Sequence, residues 1–137
     1  MNIDSSENKP RILVIEDEIE NQKYLQLILR KKFDVDFCDT KNSMFNLLSK
    51  ENYNAIIMDI SLKDGHTGVD LIKELKRKAS YKNIPIICLS AHAYGQDRLK
   101  ALEAGSDIYL TKPVGNKVLL NTLDKLIVTS IGEKKEA

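Results

Sequence analysis

The stretch Ala55-Ile56-Ile57-Met58-Asp59 decides the reading of this chain. Four apolar residues in a row fit a strand buried on both faces, as in a parallel sheet. A carboxylate stands where the run stops. Other short apolar runs end in the same way. Ile12-Leu13-Val14-Ile15 runs into Glu16-Asp17, Ile86-Ile87-Cys88-Leu89 into Ser90, and Ile108-Tyr109-Leu110 into Thr111-Lys112. A fifth, Asp34-Val35-Asp36-Phe37-Cys38, alternates acids with apolar residues, as a half-exposed edge strand does.

Helical periodicity fills the gaps between these runs. Tyr24, Leu25, Ile28 and Leu29 form one apolar stripe, with Arg30-Lys31-Lys32 suited to the end of that helix. A second helix is predicted over residues 42–50, with Met44, Phe45, Leu47 and Leu48 inward. A third is predicted over 69–78, a fourth over 94–104 and a fifth over 116–128. Gly105 suits a C-cap. Residues 61–68 read as a loop, because they hold two glycines and Asp64. Alternating strands and helices imply an α/β protein: a single doubly wound five-stranded parallel sheet with five helices. The strand order 2-1-3-4-5 puts the first and third strands together at the switch point, where ligands bind beyond the carboxyl ends. Glu16, Asp17 and Asp59 then converge, Ser90 lies next door, and Lys112 reaches across. Residues 1–10 read as a flexible leader, 11–130 as one domain, and 131–137 as a charged tail.

Composition narrows the function. The 137 residues are 42% hydrophobic and 30% charged, with a net charge of +1. That balance creates no large field favouring nucleic acid or a membrane surface. No apolar run approaches the roughly 18 residues of a spanning helix. Residues 1–11 lack the apolar core of a secretory signal, so a cytoplasmic protein is the default. Cys38 and Cys88 are too few for a disulfide framework and read as reduced core thiols.

Three carboxylates in one pocket repel. At an effective dielectric near 20, each pair at about 4 Å opposes folding by roughly 4 kcal/mol. A hard divalent cation removes that cost, and Mg²⁺ prefers carboxylate, carbonyl and water oxygens. Asp17 and Asp59 are the expected direct ligands, with the backbone carbonyl of Ser61; Glu16 is expected to hold a metal-bound water. A carboxylate such as Asp59 can also attack phosphorus and form an aspartyl phosphate. The developing charge then calls for neutralisation, by Lys112 and by the Ser90 hydroxyl. Ala91 is small enough to leave room for a donor. Nothing is placed as a general base for hydrolysis, so the acyl phosphate should persist. Each feature alone has a plain alternative: an acid pair opens many helices, and a lone serine is usually a loop hydroxyl. The conjunction carries the reading.

With these residues in hand, the chain resembles the receiver domain of bacterial two-component response regulators over residues 11 to about 130. The resemblance rests on Ile12-Leu13-Val14-Ile15-Glu16-Asp17, Ile57-Met58-Asp59-Ile60, Leu89-Ser90-Ala91 and the run from Ala104 through Lys112 to Pro113. It implies a flavodoxin-like receiver fold and a Mg²⁺-dependent phosphoacceptor at Asp59. That acceptor would catalyse its own phosphorylation and slow dephosphorylation rather than act as an enzyme on other substrates. The donor would be a histidine kinase or phosphotransfer protein. The resemblance further implies a cis Lys112-Pro113 peptide and Tyr109 as the switch aromatic. A downstream protein would be met through the fourth helix, fifth strand and fifth helix. The loop after Asp59 departs from the usual pattern: it lacks a proline at Lys63 and is one residue longer before Gly68. No output domain follows the fifth helix in this sequence, which suggests a stand-alone receiver or one cut from a hybrid sensor kinase or larger regulator.

Two other readings compete. A receiver-fold interaction module working without phosphorylation is expected to lose one or more of Glu16, Asp17, Asp59, Ser90 and Lys112, and all are here. A phosphatase of the haloacid dehalogenase type needs a second Asp two residues after the nucleophile, and that position is Ser61. A nucleotide-binding flavodoxin-like protein is weaker still, because no GxGxxG or GxxxxGK loop is present.

Overall fold

Every apolar run named above becomes a strand. In the computed structural model, β1 is Arg11–Ile15, β2 Asp34–Cys38, β3 Ala55–Asp59, β4 Ile86–Ser90 and β5 Ile108–Thr111. All pairs are parallel, and the order is β2-β1-β3-β4-β5, as the alternation predicts. The helices are α1 (Ile19–Leu29), α2 (Lys41–Lys50), α3 (Gly68–Arg77), α4 (Gly95–Ala104) and α5 (Asn116–Glu136). The structure describes residues 9–60, 67–91 and 95–136, with side chains through residue 128.

Strand alternation sorts the core into two layers. Leu13, Ile15, Ile56, Met58, Ile86 and Cys88 face one side, against Met44 and Leu48 of α2, Leu71, Ile72 and Leu75 of α3, and Ala101 and Ala104 of α4. Ile12, Val14, Ala55, Ile57, Ile87 and Leu89 face the other, against Leu25, Ile28 and Leu29 of α1 and Leu119, Leu123 and Ile127 of α5. The period of two along a strand makes this split automatic. β3 and β4 are buried at every position, whereas residues 34–37 of the edge strand β2 are only half-buried.

Local chemistry sets the helix ends. Thr40 and Ser43 form a reciprocal capping box on α2. The Thr67 hydroxyl accepts from the Asp70 N–H at 3.1 Å and opens α3. Gly105, at φ +122°, stops α4. α5 runs eight residues past the predicted end at 128, through most of the segment read as a tail. A single Gly132 costs only about 1 kcal/mol in a helix, and Glu133-Lys134-Lys135-Glu136 favours one. Residues 1–8 of the predicted leader lie outside the described residues. Pro10 is held, since its carbonyl accepts from the Asp34 N–H at 2.9 Å.

One further expectation changes, and one feature is new. Tyr24, placed on the inward stripe of α1, is 44% exposed. Tyr53 is buried, and its hydroxyl donates to Asp36 at 2.7 Å, while Arg11 pairs with the same carboxylate at 3.1 Å. That network pins β1 to β2 at the end of the sheet far from Asp59. Burial and the Asp36 carboxylate push the Tyr53 phenol up.

Candidate functional site

The site sits where β1, β3, β4 and β5 end. Parallel strands deliver all their carboxyl ends to one edge, so residues far apart in sequence meet there. Glu16, Asp17 and Asp59 each offer a carboxylate oxygen, and these lie within 4.8 Å of one another. Lys112 Nζ stands 3.3 Å from Glu16 Oε1 and 3.5 Å from Asp59 Oδ1. Glu16 is 1% exposed and Asp59 6%.

Each position follows from the backbone. Asp59 is the last residue of β3. It continues the alternation of Ala55 and Ile57 toward the α1/α5 side. Glu16 continues Ile12 and Val14 in the same way, and Lys112 continues Ile108 and Leu110. The Glu16 N–H donates to the Cys38 carbonyl at 2.9 Å, which prolongs the β1–β2 ladder by one residue. Its Oε2 accepts from the Glu18 N–H at 3.2 Å and from Asn21 Nδ2 at 3.4 Å. One Glu16 oxygen thus serves the start of α1 and the other serves Lys112. The Lys112 N–H donates to the Ser90 carbonyl at 2.7 Å, which ties the lysine to the end of β4. The Lys112-Pro113 peptide is cis.

Ser90 is 2% exposed and shares the alternation of Ile86 and Cys88, toward α2–α4. Tyr109 pairs with Cys88 across β4–β5 and packs partly buried against that same layer. Gly68 explains how α3 comes so near. A Cβ there would collide with the Asp59 carbonyl oxygen and stand 2.8 Å from Ile60 Cα. The Gly68 N–H in turn donates to the Ile60 carbonyl at 2.8 Å.

The donor set suits a hard cation: three carboxylates, no histidine or thiol among them, two of them buried. Glu16, Asp17 and Asp59 together could hold a divalent cation. The predicted Ser61 carbonyl ligand and the long loop around Lys63 lie outside the described residues. Sequence reasoning missed Glu16 as a partner of Lys112. It also missed a cavity of about 310 Å³ beside them, walled by Tyr24, Leu25, Leu89, Pro113 and Val114. No local signal marks either, because both join segments roughly ninety residues apart.

Comparison with known proteins gives a consistent result. The family model of the response regulator receiver domain matches residues 12–124. The phosphate regulon transcriptional regulatory protein PhoB of Escherichia coli is 34% identical over 111 residues, which is 80% of this chain and 48% of PhoB. Hybrid signal transduction histidine kinase I of Dictyostelium discoideum is 33% identical over 135 residues, 93% of this chain but 8% of that protein. The chain therefore spans about half of PhoB and a small part of the kinase. Among solved structures, the receiver domain of sensor histidine kinase PA1611 from Pseudomonas aeruginosa superposes with a TM-score of 0.79 at 29% identity. The match covers 87% of this chain and 98% of that one, which holds a magnesium ion in its active site cleft. A CheY-like receiver domain protein from Methanospirillum hungatei, 23% identical, shares the fold with a TM-score of 0.83. From the sheet order and the acid–lysine cluster at its carboxyl edge to the match over residues 12–124, this chain belongs to the response regulator receiver domain family, the phosphoacceptor domain of two-component signalling.

Proposed function

We propose that Asp59 accepts a phosphoryl group from a histidine kinase or phosphotransfer protein and that the adduct changes which partner the domain binds. The observation that carries this reading is the meeting of Glu16, Asp17 and Asp59 within 4.8 Å, with Lys112 Nζ touching two of them. An Asp59 carboxylate oxygen attacks phosphorus. The P–N bond of a donor phosphohistidine breaks, and its electron pair leaves on the imidazole. Mg²⁺, when bound by Asp17, Asp59 and the Ser61 carbonyl with Glu16 on a bound water, supplies charge neutralisation. Lys112 neutralises a second phosphoryl oxygen, and the Ser90 hydroxyl donates to a third. The domain itself thus catalyses its own phosphorylation, and hydrolysis is slow.

The output follows from the layer that Ser90 and Tyr109 share. Ser90 moves toward the phosphoryl group and vacates space beside β5. The Tyr109 ring fills it, and the surface of α4, β5 and α5 changes for a downstream protein. Among the described residues, no helix is long and apolar enough to cross a membrane. The reading places the domain in the cytoplasm, with neither nucleic acid nor membrane as a direct partner.

The test is intact-protein mass after incubation with Mg²⁺ and acetyl phosphate. One added phosphoryl group, absent from Asp59→Asn and absent with EDTA, is the expected result. Comparable labelling of Asp59→Asn would sink the assignment. No labelling from acetyl phosphate or from a protein donor would favour an interaction module that works without phosphorylation.

A further inference from the structure

Tyr24 is a large aromatic side chain on a helix surface, and its hydroxyl is committed. It lies 3.1 Å from the Val114 carbonyl oxygen and 3.3 Å from Asn116 Oδ1. A phenol carries one proton, so these two acceptors share it, with the shorter contact to the main chain. Val114 lies in the connection from β5 to α5, and Asn116 is the first residue of α5. Val114 is two residues past Lys112, and Tyr24 and Lys112 line the same cavity.

That connection needs holding. Pro113 has no N–H to offer. A Cβ at Gly115 would meet nothing within 4 Å. The Val114 side chain is anchored in the α1/α5 layer, at 7% exposure, and the Lys112 N–H is anchored on Ser90. The Tyr24 hydroxyl adds a tie from α1, the helix that begins just after the acid pair.

We propose that Tyr24 is a positioning residue for Lys112. Its hydroxyl straps the β5–α5 connection to α1 and so keeps the ammonium over the Glu16–Asp59 pair. The inference rests on the phosphoacceptor reading of Asp59 and deepens it. Tyr24 touches no reacting atom and acts through the lysine.

Tyr24→Phe keeps the ring and removes the donor. With Mg²⁺ and acetyl phosphate, it should label at Asp59 about fivefold more slowly than wild type, the effect of one lost hydrogen bond. In a Lys112→Ala background the same change should cost less than about twofold, because the strap then has no lysine to place. A metal-free readout accompanies this. In protein labelled with ¹³C-lysine, the Lys112 Cε signal, assigned through Lys112→Ala, should move or broaden in Tyr24→Phe. A wild-type rate in Tyr24→Phe, an equal slowing in both backgrounds, or an unmoved Lys112 signal would each overturn the strap. A wild type that no donor labels overturns the phosphoacceptor reading instead, and the Lys112 signal still decides the strap.

Discussion

The two sides of Asp59 are built differently. On the α3 side, backbone meets backbone: α3 begins at Gly68 so near the Asp59 carbonyl that no side chain fits between. On the α1/α5 side, a cavity of about 310 Å³ separates the strand ends from Tyr24 and Val114. The crowded side holds the acceptor still. The roomy side carries the charges, Glu16 and Lys112, and is where the proposed donor would enter. The contrast places rigidity where the nucleophile must be aimed and room where chemistry must enter. Ser90 and Tyr109 share the layer of the crowded side, so under the proposed switch a change at the phosphoryl group would be passed on through packed side chains rather than across a gap.

Four experiments probe this contrast, in falling order of effect. Gly68→Ala forces backbone apart on the crowded side and should cost about 3 kcal/mol in urea unfolding. A loss below about 1 kcal/mol would mean that α3 gives way and the side is not rigid. Lys112→Ala acts on the roomy side. It removes a charge-assisted contact, so labelling of Asp59 should slow about 10- to 100-fold while Mg²⁺ affinity, by calorimetry, changes by less than about threefold. The phosphorylated variant should also leave the Tyr109 ring resonances where they stand in the unphosphorylated protein. Ring resonances that move as in wild type would separate the lysine from the switch. Ser90→Ala removes a neutral donor, so its slowing should be smaller, about three- to tenfold. A loss equal to that of Lys112→Ala would erase the proposed division between the sides.

The smallest effect concerns Cys88, beneath Ser90 in the crowded layer. Burial pushes its thiol up from 9.0 to about 11. The folded state therefore holds the proton more tightly than the unfolded chain. The associated stability is complete below pH 9 and lost as pH rises toward 11. Cys88→Ala should be less stable at pH 7 yet decline less steeply over that window. Rapid iodoacetamide labelling of native Cys88 at pH 8 would contradict such burial.

Much of this was legible in one dimension. Residues 55–59 and the runs like them marked the strands, because a strand covered on both faces must be apolar throughout. Asp34-Val35-Asp36-Phe37-Cys38 marked an edge, because one of its sides meets water. The helix ends were less legible. α5 outran the expected stop because one glycine among good helix formers is a weak terminator. Tyr24 was misplaced because an apolar stripe tells the face of a helix only to within a residue, and a phenol can stand at the boundary with its hydroxyl occupied.

Residue order alone dictates the alternation of strands and helices, and with it the gathering of Glu16, Asp17, Asp59, Ser90 and Lys112 at one edge. Parallel strands joined by right-handed crossovers leave those residues nowhere else to go. It takes the packed molecule to bring Lys112 onto Glu16 as well as Asp59, Tyr24 to Val114, and Gly68 against the Asp59 carbonyl. Those outcomes depend on the rotation and approach of helices against the sheet. They are set by how whole side-chain layers pack, which no local pattern of residues encodes.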